Sequence, residues 1–95
     1  MAVGRYAMAA SRYFEGYGLS LEEEKRIIGM ISVKSHYNGA RNPKAHLRRG
    51  VTLEQVINAP IIAWPLGLYD CGGVTDRVAV AILCRTEDGK SFRDG

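Results

Sequence analysis

The stretch SLEEEKRIIGMISVKSHYN, Ser20 to Asn38, decides the fold because it predicts the longest helix of the chain. Ser20 and Glu23 form a capping box, in which the serine oxygen accepts from a helical amide and the glutamate reaches back. Gly29 costs this helix roughly 1 kcal/mol relative to alanine, which predicts tight packing at that position. The hydrophobic pattern predicts a buried face made of Leu21, Ile27, Ile28, Ile31 and Ser35.

A first helix is predicted upstream, over residues 4–17. Gly18 is a natural stop for it, since glycine enters the left-handed backbone region freely. One helical face, widened by Phe14, is aromatic, which indicates a helix packed on a larger body. That face consists of Tyr6, Ala10, Tyr13 and Tyr17.

Downstream of the second helix the pattern changes at Asn42-Pro43, because a residue before proline avoids the helical region. A short turn of helix is predicted over 44–49. A second capping box at Thr52 starts a short helix that ends by Ala59-Pro60. An extended segment comes next over 60–64, and then a loop broken by proline and glycine.

The apolar run Val78–Cys84 predicts a strand that is covered on both faces. Such a strand needs neighbours on both edges for its amides and carbonyls, and the sequence offers one partner at most, around residues 60–64. The order of elements therefore predicts an α+β fold that is mostly helical, with one or two strands that belong to a larger sheet.

Composition fits one small soluble domain. The chain has 95 residues, of which 46% are hydrophobic, and its net charge is +3, which does not by itself imply a nucleic-acid or lipid partner. Its two cysteines, Cys71 and Cys84, form neither a disulfide framework nor a metal-ligand spacing. No apolar run of about 18 residues and no signal peptide are evident, so the sequence predicts a cytoplasmic protein without a membrane span.

Several polar residues allow both a structural and a functional interpretation. Cys71 is a small, partly buried thiol or, if a base approaches it, a nucleophile. His36 is a helix-end residue or a ligand contact. The basic stretch 34–49, with Tyr37 inside it, is a solvated face or a site for phosphates. Asp70 and Asp76 suit turns and caps, and an acid/base pair is the alternative.

Five strings, in order, resemble the thiolase superfamily, and most closely its acetyl-CoA acetyltransferase branch with sterol-carrier-protein-type and archaeal thiolases. YAMAASRYFEGYG (6–18) resembles the helix that opens the thiolase loop domain, and VKSHYNGARNPKAH (33–46) is similar to the motif H-x-N-A-x-x-N-P-x-A. VTLEQVINAPIIAWPLGLYDC (51–71) resembles the segment that leaves the loop domain. GGVTDRVAVAIL (72–83) is similar to the turn and strand that return to the core, and RTEDGKSFRDG (85–95) is similar to the segment after that strand.

The resemblance implies a single partial thiolase-like domain, an internal fragment with loop-domain-like helices over 1–59 and a return loop and core strand over 60–95. The segments that carry the family's nucleophilic cysteine and catalytic histidine are not among the matched strings. The resemblance therefore implies no catalytic residue here and no activity of this chain alone. The family's glycine and alanines after Asp76 are replaced by Arg77, Val78 and Val80, which would overpack a tight site.

The same resemblance implies that the chain contributes to a coenzyme A or acyl-CoA pocket. The residues expected to contact this ligand are Asp70, Cys71, Gly72, Gly73, His36, Arg48 and Arg49. A coenzyme A thioester is expected as substrate, with no cofactor and no metal. A second copy or the remaining thiolase segments are expected as partners, and neither nucleic acid nor a membrane.

Two alternatives stay open at the level of sequence. One is a small non-enzymatic binding module that uses the basic stretch 34–49 for an acidic or nucleotide partner. The other is acyl transfer through Cys71 itself.

Overall fold

The computed structural model describes residues 2–74 and 76–92. This part of the chain contains helices α1 (Ala2–Gly16), α2 (Leu21–Arg41) and α3 (Leu53–Asn58). Strands β1 (Ile61–Ala63) and β2 (Leu66–Gly67) come next, and short 3-10 turns lie at Leu68–Asp70 and Thr86–Ser91. The mostly helical α+β class predicted from the sequence is confirmed.

Helix α1 ends where the sequence predicts. The Leu19 amide donates to the Phe14 carbonyl and the Gly18 amide to the Glu15 carbonyl, each at 3.1 Å. These two bonds form a Schellman motif, which requires a left-handed residue, and Gly18 supplies it with a φ of 67°.

The predicted buried face of α1 was wrong for its tyrosines and right for Phe14. Its buried residues are Ala7 and Phe14, whereas Tyr6, Tyr13 and Tyr17 are exposed. The side of α1 that bears Ser11 meets the β1–β2 hairpin, since the Ser11 hydroxyl lies 3.5 Å from the Trp64 carbonyl oxygen. The described hairpin covers this side only, so the tyrosines pack on one another, with 4.7 Å between the ring centroids of Tyr13 and Tyr17.

The start of α2 is confirmed as a capping box. The Glu23 amide donates to the Ser20 hydroxyl at 3.2 Å, and the Ser20 amide donates to the Glu23 carboxylate at 2.8 Å. The helix continues three residues beyond the predicted end and is capped by Asn42, directly before Pro43. The Asn42 side chain accepts from the Lys44 amide at 3.0 Å, which turns the chain away from the helix.

The predicted apolar face of α2 is not its buried face. The buried residues are Glu24, Lys25, Gly29 and Ser32. Of the predicted set, Ile28 is half-buried, and the exposed members are Leu21, Ile27, Ile31 and Ser35. The prediction was wrong because the segments that pack on α2 carry a carboxylate and a carbonyl oxygen at the contact. Buried polar atoms need hydrogen-bond partners, and the polar side chains Lys25 and Ser32 of α2 provide them.

Helix α3 packs across α2 at Gly29, which confirms the tight packing predicted there. A Cβ atom on Gly29 would lie 2.8 Å from Leu53 Cδ1. Val56, on the same helix, is fully buried. The predicted capping box at Thr52 is present, with the Gln55 amide donating to the Thr52 hydroxyl at 3.2 Å.

The extended segment predicted over 60–64 forms the first strand of a short antiparallel hairpin. Ile61 pairs with Gly67 and Ala63 with Leu66, and a cis peptide bond joins Trp64 to Pro65 in the turn. The Leu68 amide donates to the Pro60 carbonyl at 2.9 Å, which closes the base of the hairpin.

Two predicted elements do not form. Residues 44–49 make a turn and then an irregular loop, not a helix. The segment 78–84 has no regular secondary structure, and its apolar side chains are exposed, as for Val80 at 87% and Leu83 at 92%. A strand requires a hydrogen-bonded neighbour, and the described hairpin pairs only with itself, so this apolar run stays uncovered.

Candidate functional site

Asp70 is the centre of a buried polar cluster. Its Oδ2 lies 3.5 Å from the Nζ of Lys25, and the two side chains are only 2% and 6% exposed. The same oxygen accepts from the Gly67 amide at 2.7 Å, and Oδ1 accepts from the Ser32 hydroxyl. Both carboxylate oxygens therefore have partners, as a buried charge requires. We name Lys25, Ser32, Gly67 and Asp70 the Asp70 cluster.

The Asp70 cluster extends to the hairpin turn. Lys25 Nζ donates to the Pro65 carbonyl at 3.2 Å, and the indole N–H of Trp64 donates to the Glu24 carboxylate at 3.2 Å. Two adjacent residues of α2 thus hold both sides of the Trp64–Pro65 turn.

His36 lies one turn of α2 beyond Ser32 and contacts the residue before Asp70. Its Nε2 is 3.3 Å from the Tyr69 carbonyl oxygen, so this ring nitrogen is the donor. The two rings meet edge to face with centroids 5.8 Å apart. His36 is half-buried and contacts Tyr69. It is therefore not an exposed residue at the helix end, which was one of its two interpretations.

Most of the predicted site residues line one cavity of about 650 Å³, which we name the main cavity for that reason. They are His36, Arg48, Arg49, Cys71, Gly72 and Gly73. An apolar wall completes the cavity and includes Leu47, Val51, Ile62 and Leu68. Asp70 instead lines an adjoining cavity of about 310 Å³, together with Ser32, His36, Cys71 and Gly72.

At Gly39 and Gly72, neighbouring segments come so close to the backbone that a larger residue would be crowded. A Cβ atom on Gly39 would lie 3.0 Å from the Leu47 carbonyl oxygen, so the loop after α2 folds back directly over the helix. A Cβ atom on Gly72 would lie 2.7 Å from Arg77 Nη1. Arg77 therefore lies against the loop that carries Cys71 and Gly72.

Cys71 is half-buried at the junction of the two cavities. Within residues 2–74 and 76–92, neither histidine ring forms a hydrogen bond with its thiol, and His36 is bonded to Tyr69 instead. In this part of the chain, neither histidine therefore lies within hydrogen-bond distance of the Cys71 thiol.

The basic stretch 34–49 is divided by the end of α2. On the helix, the Arg41 guanidinium lies 4.2 Å from the centroid of the Tyr37 ring. In the loop, Arg48 and Arg49 line the main cavity, and so does His46. From the helical half of the stretch His36 lines that cavity, whereas Lys34 and Arg41 do not.

Sequence reasoning missed Lys25, Ser32 and Tyr69. The available signal was the spacing of Lys25, Gly29, Ser32 and His36, at intervals of four, three and four, which marks one helical face. From sequence alone, a lysine on a helical face is assumed to point to solvent. Only the ion pair with Asp70 shows that Lys25 is buried.

Two other kinds of feature, a metal site and a membrane-spanning helix, are absent from the described residues. No group of three or more histidine, cysteine or acidic residues is arranged to hold a metal ion in that part of the chain. No helix among those residues has the length and apolar character needed to cross a membrane.

Comparison with known proteins gives similar sequences along nearly the whole chain. It is 38% identical over 89 residues to an acetyl-CoA acetyltransferase of Methanothermobacter thermautotrophicus, and 45% identical over 87 residues to an acetyl-CoA acetyltransferase of Methanocaldococcus jannaschii. It is 33% identical over 84 residues to the benzoylsuccinyl-CoA thiolase subunit BbsB of Thauera aromatica. These matches cover 94%, 92% and 88% of the chain.

The chain spans about a fifth of the length of these curated relatives, between 21% and 22%. No family model and no solved structure matches it.

Proposed function

Because the chain is a thiolase-superfamily segment, we propose that its main cavity binds the coenzyme A part of an acyl-CoA. In this proposal the chain shapes a ligand pocket within thiolase chemistry, the thiolysis or condensation of acyl-CoA. It carries out no acyl transfer alone.

The observation that carries the proposal is the convergence of distant residues on one cavity. His36 comes from α2, Arg48 and Arg49 from the loop after it, and Cys71 to Gly73 from the loop after the hairpin. A cavity of about 650 Å³ is within the usual range for small-molecule sites. The relatives' names supply the ligand class, since acetyl-CoA and benzoylsuccinyl-CoA are both coenzyme A thioesters.

The chemistry of the walls suits such a ligand. Guanidinium groups bind phosphate oxygens through paired N–H donors, which gives Arg48 and Arg49 a role at the phosphates of coenzyme A. The apolar wall and the small residues Gly72 and Gly73 suit the uncharged pantetheine arm, which needs close approach and few fixed hydrogen bonds.

Catalysis through Cys71 is not part of the proposal. Acyl transfer needs a base within hydrogen-bond reach of the thiol, and in the described residues neither histidine ring is hydrogen-bonded to Cys71. Incubation with acetyl-CoA followed by intact-mass analysis tests this directly. A stable acetyl adduct on Cys71 would contradict the proposal that this thiol takes no part in acyl transfer.

The binding proposal is tested by calorimetric titration of coenzyme A into the full 95-residue chain. We expect saturable binding that the Arg48→Glu/Arg49→Glu variant weakens by at least about tenfold, since two attractive charges become repulsive. Lys34→Glu is the matched control, because Lys34 belongs to the same basic stretch but is exposed on α2 and does not line the cavity.

An equal loss in both variants, or no saturable binding by the parent chain, would refute the proposed function. The same titration with a short RNA at two salt concentrations examines the alternative of a basic binding module. Binding of RNA alone, with a steep dependence on salt, would favour that alternative.

A further inference from the structure

We propose that Lys25 and Asp70 are positioning residues that hold the loop 69–73 against α2 and so form one wall of the cavity. That the cavity is a ligand site rests on the proposed function. The positioning itself is a property of the chain that can be measured without any ligand.

The contacts of Asp70 connect three parts of the fold. Through Ser32 and Lys25 the carboxylate binds α2, and through the Gly67 amide it binds the end of the hairpin. Lys25 in turn binds the Pro65 carbonyl in the hairpin turn. Asp70 therefore fixes the point at which the chain leaves the hairpin and enters the loop.

The attachment to α2 has two points along one helical face. Ser32 and His36 are four residues apart, and they contact the consecutive residues Asp70 and Tyr69. Because Tyr69 and Asp70 are held one helical turn apart on α2, both the position and the direction of the loop are fixed. Cys71 is the next residue, and it lines both cavities.

The buried ion pair stabilises this attachment, and losing either partner weakens it. A charge that loses its partner inside the protein must be hydrated, because an unpaired buried charge is strongly unfavourable. If Lys25 is removed, the Asp70 carboxylate can reach water only by moving the loop away from α2. Lys25 does not line the main cavity, so its effect on the cavity is exerted through Asp70.

The backbone of Gly67 packs closely against the pair. A Cβ atom on Gly67 would lie 3.3 Å from Lys25 Nζ, 3.3 Å from the Pro60 carbonyl oxygen and 3.5 Å from Asp70 Oδ2. The lysine head group thus fills the space above Gly67, where a methyl group would already be crowded.

The test measures the rate at which a thiol reagent labels Cys71 in the full chain with Cys84→Ser, which removes the exposed second thiol. We expect Lys25→Met and Asp70→Asn to raise this rate about tenfold, the change that corresponds to about 1.4 kcal/mol in the free energy of opening the loop. Lys25→Arg, which keeps the charge, is expected to restore part of the protection.

Two control variants separate positioning from general destabilisation. Val56→Ala weakens the fully buried core between the helices and removes no polar group of the Asp70 cluster, and Lys34→Met removes an exposed lysine from α2. Neither is expected to raise the Cys71 rate at urea concentrations well below the unfolding transition.

An unchanged rate in Lys25→Met, with its helical circular dichroism retained, would overturn the proposal, and so would an equal rise in Val56→Ala. If Lys25→Met fails to fold, Ser32→Ala decides, because it removes one hydrogen bond to Asp70 and keeps the ion pair. In Ser32→Ala the rate of Cys71 labelling is expected to rise by less than tenfold. An unchanged rate in this variant would refute the positioning role. If the parent chain binds no coenzyme A, the proposed function fails while the labelling result still stands.

Discussion

Gly29 and Leu53 touch at the crossing of α2 and α3. A Cβ atom on Gly29 would lie 2.8 Å from Leu53 Cδ1 and 3.6 Å from Val56 Cγ1, so the helices approach to a distance that only glycine permits without rearrangement. The crossing brings the fully buried Val56 against α2.

Gly29→Ala is therefore expected to destabilise the protein by about 1 kcal/mol. Alanine adds roughly 1 kcal/mol of helix propensity, but overpacking costs about 1–3 kcal/mol, so the unfavourable contribution is the larger. Urea unfolding measures the difference. In a double-mutant cycle with Leu53→Ala, the combined loss should be smaller than the sum of the single losses. Additive losses, or a more stable Gly29→Ala, would contradict the contact.

A buried ion pair and an exposed ion pair of this chain should differ sharply in their contribution to stability. Lys25 and Asp70 are 3.5 Å apart and buried, whereas Arg85 and Asp88 are 3.1 Å apart with side chains 80% and 50% exposed. Removing one buried partner by Asp70→Asn should cost about 3–5 kcal/mol in the free energy of unfolding. Asp88→Asn, its matched surface control, should cost less than about 1 kcal/mol. Equal losses on urea unfolding would show that burial does not govern these pairs.

The first capping box should make stability depend on pH in the acid range. The hydrogen bond from the Ser20 backbone N–H and the contact with the Ser20 side chain lower the pKa of Glu23. A lowered pKa in the folded state stabilises the protein above the ordinary glutamate value of about 4.3, and this contribution is lost as the pH falls through the folded value.

Glu23→Gln should therefore be less stable than the parent at neutral pH and converge with it below pH of about 4. Thermal unfolding followed across pH 2–7 measures this convergence. Thr52→Ala is the control, because the second box pairs Thr52 with the uncharged Gln55 and its loss of about 1 kcal/mol should not change with pH. A parallel pH profile for Glu23→Gln would show that Glu23 does not contribute.

The uncovered apolar run around 78–83 should drive self-association. Val78, Val80 and Leu83 are at least 87% exposed, and an apolar segment with unpaired backbone groups is a template for pairing with another chain. Val80→Lys should shift the chain toward monomer in light scattering at rising concentration. Val74→Lys is the control, since Val74 is equally exposed but lies outside the run. Association that is the same in both variants would place the contact elsewhere.

Local chemistry was sufficient to predict the starts of α2 and α3 and the stop after α1, whereas α2 ends three residues later than predicted. The two capping boxes, the glycine stop at Gly18 and the proline after Asn42 each act within four or five residues, so the sequence around them contains all the interacting groups. The close approach at Gly29 was also predictable, because a helix keeps a glycine in its interior at a cost in propensity.

The site was predictable only in part. Each expected residue could be named from a resemblance, but their meeting around one cavity depends on contacts between segments that are far apart along the chain, such as His36 with Tyr69. The partner of Lys25 is forty-five residues away, and no local pattern distinguishes a lysine that meets a carboxylate from one that meets water.

The amino-acid sequence by itself determined the starts of α2 and α3 and the stop after α1, because capping is a matter of neighbouring residues. Tertiary structure alone decided which faces are buried and whether an apolar run becomes a strand. Burial depends on what the opposite element offers, and so α2 buries Lys25 and Ser32 against Asp70. Residues 78–84 have the composition of a strand, yet a strand exists only when a second one supplies its hydrogen bonds.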